Sequence, residues 1–235
     1  MVILLRRRRL LAVLCLLFLI TAVLALRRGD PVISVMTPDG AGETVIIDAG
    51  HGGTDGGAVS SSGVIESSLN LQISHKIYEL FRFLGQNAVM TRTGEDGLYN
   101  ADSNTIRQKK IADTRNRVEF INSYEPATLI SIHQNSMPNA PKVHGAQVFY
   151  NTQPHARELA KTIQAALNCG VNSENIKTET AIPKSVYIMS HVNCDAVLVE
   201  CGFLSNSTET ELLQRSDYQR KLAAAIVSGY LTDKG

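Results

Sequence analysis

Residues 44–53, TVIIDAGHGG, decide how this chain is read. Val45 to Asp48 is a short run of branched apolar residues closed by an acid, and it reads as a strand. Gly50, Gly52 and Gly53, followed by Gly56 and Gly57, end it and allow a tight loop that brings backbone close to a ligand. Beyond that loop, Leu69, Ile73, Ile77, Leu80 and Leu84 recur at helical spacing and stop at Gly85. Strand, glycine loop and helix are the first half of a strand–helix–strand unit.

The rest of the chain repeats the alternation. Ala88–Thr91, Thr128–His133, Ala146–Tyr150 and Ala196–Glu200 are predicted strands. Ile111–Ser123 and His155–Asn168 read as helices. Thr208-x-x-Glu211 and Ser216-x-x-Gln219 both have capping-box spacing, the second opening a helix to about Leu231. Strands alternating with helices predict the α/β class with a mostly parallel sheet, and apolar strands require helices on both faces. No internal repeat or second boundary interrupts residues 44–235, which read as a single domain. Two segments, 93–110 and 171–185, are long for connections, and both are placed to frame a groove.

Residues 1–28 stand apart. Arg6–Arg9 precede an apolar run from Leu10 to Leu26, closed by Arg27 and Arg28. Seventeen residues span roughly 25 Å as a helix, at the short end of a membrane crossing. The segment reads as a signal anchor in preference to a cleaved signal, with the arginines held inside and the rest exported. Residues 29–43, with Pro31, Pro38, Gly40 and Gly42, read as a linker. Six arginines lie in that first segment. The remaining 17 basic residues face 22 acidic ones, a net charge of −5, which argues against a nucleic-acid partner. Cys169, Cys194 and Cys201 are an odd set without metal-site spacing, and the reading is three buried thiols.

Four residues carry the chemistry. His51 follows the first strand, Glu66 precedes the first long helix, and His133 and Glu200 close apolar strands. Ligands of open α/β sheets bind beyond the carboxyl ends of the strands, where parallel strands would bring these side chains together. Two imidazoles and one carboxylate are the usual protein share of a catalytic zinc site, with one position left for water. A separate carboxylate then has a proton to move. Asp48 is expected to accept the second N–H of a metal-bound imidazole. Taken singly, each residue has a bland reading as a cap, a salt-bridge partner or a turn. Their shared strand-end context is what singles them out. His75, His144, His155 and His191 lack that context, and only His191 is expected near the site.

VIIDAGHGGTDGGAV, Glu66 with Asn70-Leu71, VMTRTGED, LISIHQNS and AVLVECGFLSN together resemble the amidase-3 family of zinc-dependent N-acetylmuramoyl-L-alanine amidases. The similarity runs from about Thr44 to Leu231. The resemblance implies one α/β domain around a six-stranded sheet, and one Zn2+ held by His51, Glu66 and His133. It also implies Glu200 as general base and acid, and peptidoglycan as substrate. YIMSHVNCDAVLVECGFLSN and the short chain resemble the spore-germination branch of that family. That branch implies spore-cortex peptidoglycan, a later step to muramic-δ-lactam and an activator protein as a possible partner. Two rival readings are kept: a non-catalytic wall-binding scaffold on the same fold, and a zinc peptidase, although HExxH is absent.

Overall fold

The computed structural model describes residues 42–99 and 105–235. Its strands are β1 (Thr44–Ala49), β2 (Ala88–Met90), β3 (Ala127–Asn135), β4 (Gln147–Tyr150), β5 (Thr180–Ala181) and β6 (Asp195–Phe203). Its helices are α1 (Glu66–Phe83), α2 (Ile106–Asn122), α3 (Ala156–Gly170), α4 (Tyr187–His191), α5 (Ser207–Leu213) and α6 (Ser216–Lys234). The strands form one sheet in the order β2-β1-β3-β6-β4-β5, in which only the β4–β6 pairing is antiparallel. The expected single α/β domain with a six-stranded, mostly parallel sheet is what the described residues form.

Side-chain alternation splits the core between the two faces. Val45, Ile47, Ile130, Ile132, Val197 and Val199 pack against α1, α3 and α6, including Ile73, Ile77, Ile163 and Ile226. Ile46, Leu129, Ala196 and Leu198 face the other way, onto Ile121 of α2 and Met189 of α4. Helices therefore cover both faces, as continuous apolar strands demand. α1 and α2 leave β1 and β2 on opposite sides. The strand order accordingly reverses between β1 and β3, which makes that crevice the switch point where such sheets bind ligands.

Several expectations need correction. α2 begins at Ile106, five residues before the predicted start, because Thr105 and Gln108 close a reciprocal capping box. Apolar periodicity could not show this, since Arg117 and Ile121 are the only buried residues of that helix. The 171–185 segment contains β5, which pairs with β4 through two residues. The cap of α5 is Asn206, whose side chain accepts from the Glu209 N–H, so Thr208 lies inside the helix. Arg215 is the N-cap of α6 and makes no side-chain cap bond, so Ser216-x-x-Gln219 is not a capping box. Of the three cysteines only Cys201 is buried; Cys169 is exposed, Cys194 is intermediate, and all three are free thiols.

The predicted anchor, residues 1–28, lies outside the described residues, as does the linker before Gly42. Among the described residues no helix is long and apolar enough to cross a membrane. Glu43 is already tied to the body, pairing with Lys234 at 2.8 Å and accepting from the hydroxyl of Thr128.

Candidate metal centre and active site

β1 delivers the first ligand-type residue through a strained turn. The last ladder bond runs from the Gly50 N–H to Ile132 O at 3.1 Å. His51 then adopts a left-handed backbone, with φ 61°, a conformation uncommon for any residue with a Cβ. Two glycines leave room for the ring cluster. A Cβ on Gly50 would stand 2.3 Å from the His133 ring, and one on Gly57 2.4 Å from Glu66 Oε2. Gly57 also has a positive φ of 69°.

Glu66 opens α1, where a carboxylate is favoured by the helix dipole. Its Oε1 lies 3.2 Å from His51 Nε2 and 3.0 Å from His133 Nδ1. The same oxygen accepts from the Gln134 N–H at 3.2 Å and from Asn70 Nδ2 at 3.3 Å, while Oε2 accepts from the Ala58 N–H at 2.8 Å. Glu66 is thus fixed by backbone and amide donors while one of its oxygens faces both imidazoles. Burial alone would raise its pKa, but His133 and His51 hold it well below the usual carboxylate range. Burial works against the His51 imidazolium, yet Glu66 and then Asp55 raise its pKa. One ligand atom from each of His51, Glu66 and His133 falls within 4.8 Å of the others. Two imidazole nitrogens and one carboxylate oxygen, converging and backed by fixed donors, suit a tetrahedral zinc ion with one open position.

Glu200 belongs beside them. His133 and Glu200 are register partners on the adjacent parallel strands β3 and β6, so their side chains leave the same face. Neither residue closes its strand as predicted: β3 continues to Asn135 and β6 to Phe203, with an irregularity in register after His133. Glu200 Oε2 is sealed from solvent and has no hydrogen-bond partner among the described residues. Burial raises the Glu200 pKa to about 7; the imidazoles of His133 and His51 pull it down, and Glu66 pushes it up. A carboxyl with one oxygen sealed from solvent and a pKa near neutrality is suited to taking and returning a proton.

Asp48 does not take the place expected of it. Its Oδ1 accepts from Thr91 Oγ1 at 2.7 Å and from Arg117 Nη1 at 2.6 Å, and its Oδ2 accepts from Ser131 Oγ at 2.7 Å. No hydrogen bond joins it to either imidazole among the described residues. The carboxylate that meets His51 Nδ1, at 3.0 Å, is Asp55, itself paired with Lys110 of α2 at 3.0 Å. The sequence signal for Asp55 was its position four residues after His51 inside the glycine loop. His191 is not near the site: its carbonyl accepts from Asn122, at the amino ends of the strands. Sequence reasoning also missed Gln134, whose Nε2 donates to Asn70 Oδ1 at 3.1 Å and ties β3 to α1 behind Glu66.

Comparison with known proteins identifies the family. A family model described as N-acetylmuramoyl-L-alanine amidase matches residues 45–231. A germination-specific N-acetylmuramoyl-L-alanine amidase of Bacillus subtilis is 35% identical over 199 residues, 83% of this chain and 82% of that protein. The CwlD amidase of Clostridioides difficile, solved in complex with the GerS lipoprotein, superposes with a TM-score of 0.78 at 36% identity, covering 82% of this chain and 98% of that one. An N-acetylmuramoyl-L-alanine amidase of Clostridium difficile 630 gives 0.70 at 28% identity, covering 81% and 95%.

Proposed function

This chain belongs to the N-acetylmuramoyl-L-alanine amidase family and hydrolyses the amide between N-acetylmuramic acid and L-alanine in peptidoglycan, and we propose that it does so with one zinc ion held by His51, Glu66 and His133 and with Glu200 as general base and acid. The observation that carries this reading is the convergence of those three ligand atoms next to a buried carboxylate oxygen that has no partner among the described residues. A zinc ion held there would acidify a water molecule and polarise the amide carbonyl. Glu200 takes the proton of the attacking water and returns it to the departing alanine nitrogen, so the C–N bond breaks without expelling an amide anion. Asp55 holds the His51 ring from its far nitrogen, and Glu66 is kept in place by Asn70, Gln134 and the Ala58 N–H.

We further propose spore-cortex peptidoglycan as the substrate, in keeping with the germination-specific relative. Residues 1–28 would anchor an exported catalytic domain, residues 44–235, to the outer face of a membrane through the 29–43 linker. The complex of the CwlD amidase with a lipoprotein supports an activator protein as a partner here.

The test is incubation of the purified protein with peptidoglycan, with and without zinc, and mass spectrometry of the products. Stem peptides with a free L-alanine amine, lost on chelation and restored by zinc, are the expected result. Peptides cut internally would indicate a peptidase, and no release despite bound zinc would favour a scaffold or an unmet need for a partner.

A further inference from the structure

We infer that Arg92 and Arg117 are positioning residues for the metal centre: their guanidinium groups grip three consecutive backbone carbonyls and so set the left-handed turn that presents His51. This rests on the zinc site proposed above. Beyond the Gly50 N–H the β1–β3 ladder is finished, and the carbonyls of Ala49, Gly50 and His51 need donors from elsewhere. Ala49 O accepts from Arg92 Nε at 2.9 Å and Arg117 Nη1 at 2.8 Å. Gly50 O accepts from Arg92 Nη2 at 3.1 Å, shared with Asn70 Nδ2 at 3.1 Å. His51 O accepts from Arg117 Nη2 at 2.5 Å.

Both arginines are buried, at 5% and 1% exposure, and this decides between a clamp and a pair of surface charges. Burying a cation is costly unless it is paired and fully hydrogen-bonded. Arg117 meets that condition through Asp48 and Asp113, at 2.6 and 2.7 Å. Arg92 is satisfied by main-chain carbonyls, adding Gly94 O and Ser67 O at 2.8 Å each. Ser67 sits beside Glu66, so the Arg92 fork ties the His51 loop to the turn that carries the second ligand-type residue. Only a planar fork of fixed N–H donors can hold neighbouring carbonyls in one arrangement; an ammonium keeps the charge but not the geometry.

The experiment compares the full chain with Arg117→Lys and Arg92→Lys, measuring zinc affinity by competition with a chromophoric chelator and thermal unfolding of the metal-free protein. The expected result is a loss of zinc affinity of about tenfold or more in each folded variant, the range for partners that orient ligands. The loss should persist well below the unfolding temperature, where a merely structural role would leave affinity unchanged. Wild-type affinity in either folded variant overturns the assignment. Failure of both lysine variants to fold also overturns it, because the clamp would then belong to the fold at large. If the wild-type chain itself binds no zinc, the metal site fails instead, and the two failures are told apart.

Discussion

The carboxyl ends of β1 and β6 carry an acid each, on the same face of the sheet, and the two are treated in opposite ways. Asp48 is fully buried and accepts three hydrogen bonds, from Thr91, Arg117 and Ser131. Burial would raise its pKa, but the Arg117 guanidinium above all holds it down at about 2. Glu200 has an oxygen sealed away with no partner among the described residues, and burial drives its pKa to about 7. Environments that push two carboxyl groups apart assign their roles. The acid whose partners are complete maintains a loop, and the acid left incomplete is free to exchange a proton. Identity and strand position alone do not separate them; the donors around them do.

The sharpest way to break this comparison is Glu200→Gln. The amide matches the carboxyl in shape but cannot accept the proton, so turnover of peptidoglycan should fall by about 10²- to 10⁴-fold. Zinc content, read by elemental analysis, should be unchanged. Thermal stability should hold or rise, because an uncompensated carboxylate has been removed. Near-normal turnover would mean that the free oxygen of Glu200 has no catalytic use.

Asp48→Asn probes the other side and should act on folding. Removing one partner of a buried ion pair costs about 3–5 kcal/mol. Asp113 still holds Arg117 at 2.7 Å, so the loss belongs at the lower end, about 3 kcal/mol, in urea unfolding of the metal-free protein. Activity per folded molecule should fall far less than in Glu200→Gln. If Asp48→Asn proved as stable as the parent, the paired acid would not be structural and the contrast would lose one of its halves.

Much of this was legible in the sequence, for a physical reason. Parallel strands end at one edge, so a His after β1 and a His and a Glu late in β3 and β6 had to meet there. Choosing between Asp48 and Asp55 as the partner of His51 was beyond spacing, since both lie within four residues of it. The backbone path decides, with His51 left-handed and Asp48 turned toward Arg117. Arg92 was not singled out because its partners are all carbonyls, which every residue has, and Arg117 because a buried arginine breaks the apolar pattern by which a helix is read. His191 was misjudged through its nearness in sequence to β6, whose amino end it adjoins instead of its carboxyl end. β5, two residues long and exposed, has no pattern to detect.

The last prediction sharpens the comparison with pH alone, on metal-free protein. The folded pKa of Asp48 lies below its ordinary value of 3.8, at about 2. Its stabilising contribution is therefore complete above pH 3.8 and is lost as pH falls through about 2. That difference corresponds to ~2 kcal/mol, with one pKa unit worth about 1.4 kcal/mol. The folded pKa of Glu200 lies above its ordinary value of 4.5, at about 7. Its contribution has the opposite sense: it is complete below pH 4.5 and is lost as pH rises through about 7. Urea unfolding across pH should thus show Glu200→Gln gaining on the parent between pH 4.5 and 8, and the Asp48→Asn deficit shrinking between pH 4 and 2. Parallel curves for Glu200→Gln and the parent over the upper range would mean that Glu200 is solvated like any surface acid, and its difference from Asp48 would then be one of position only.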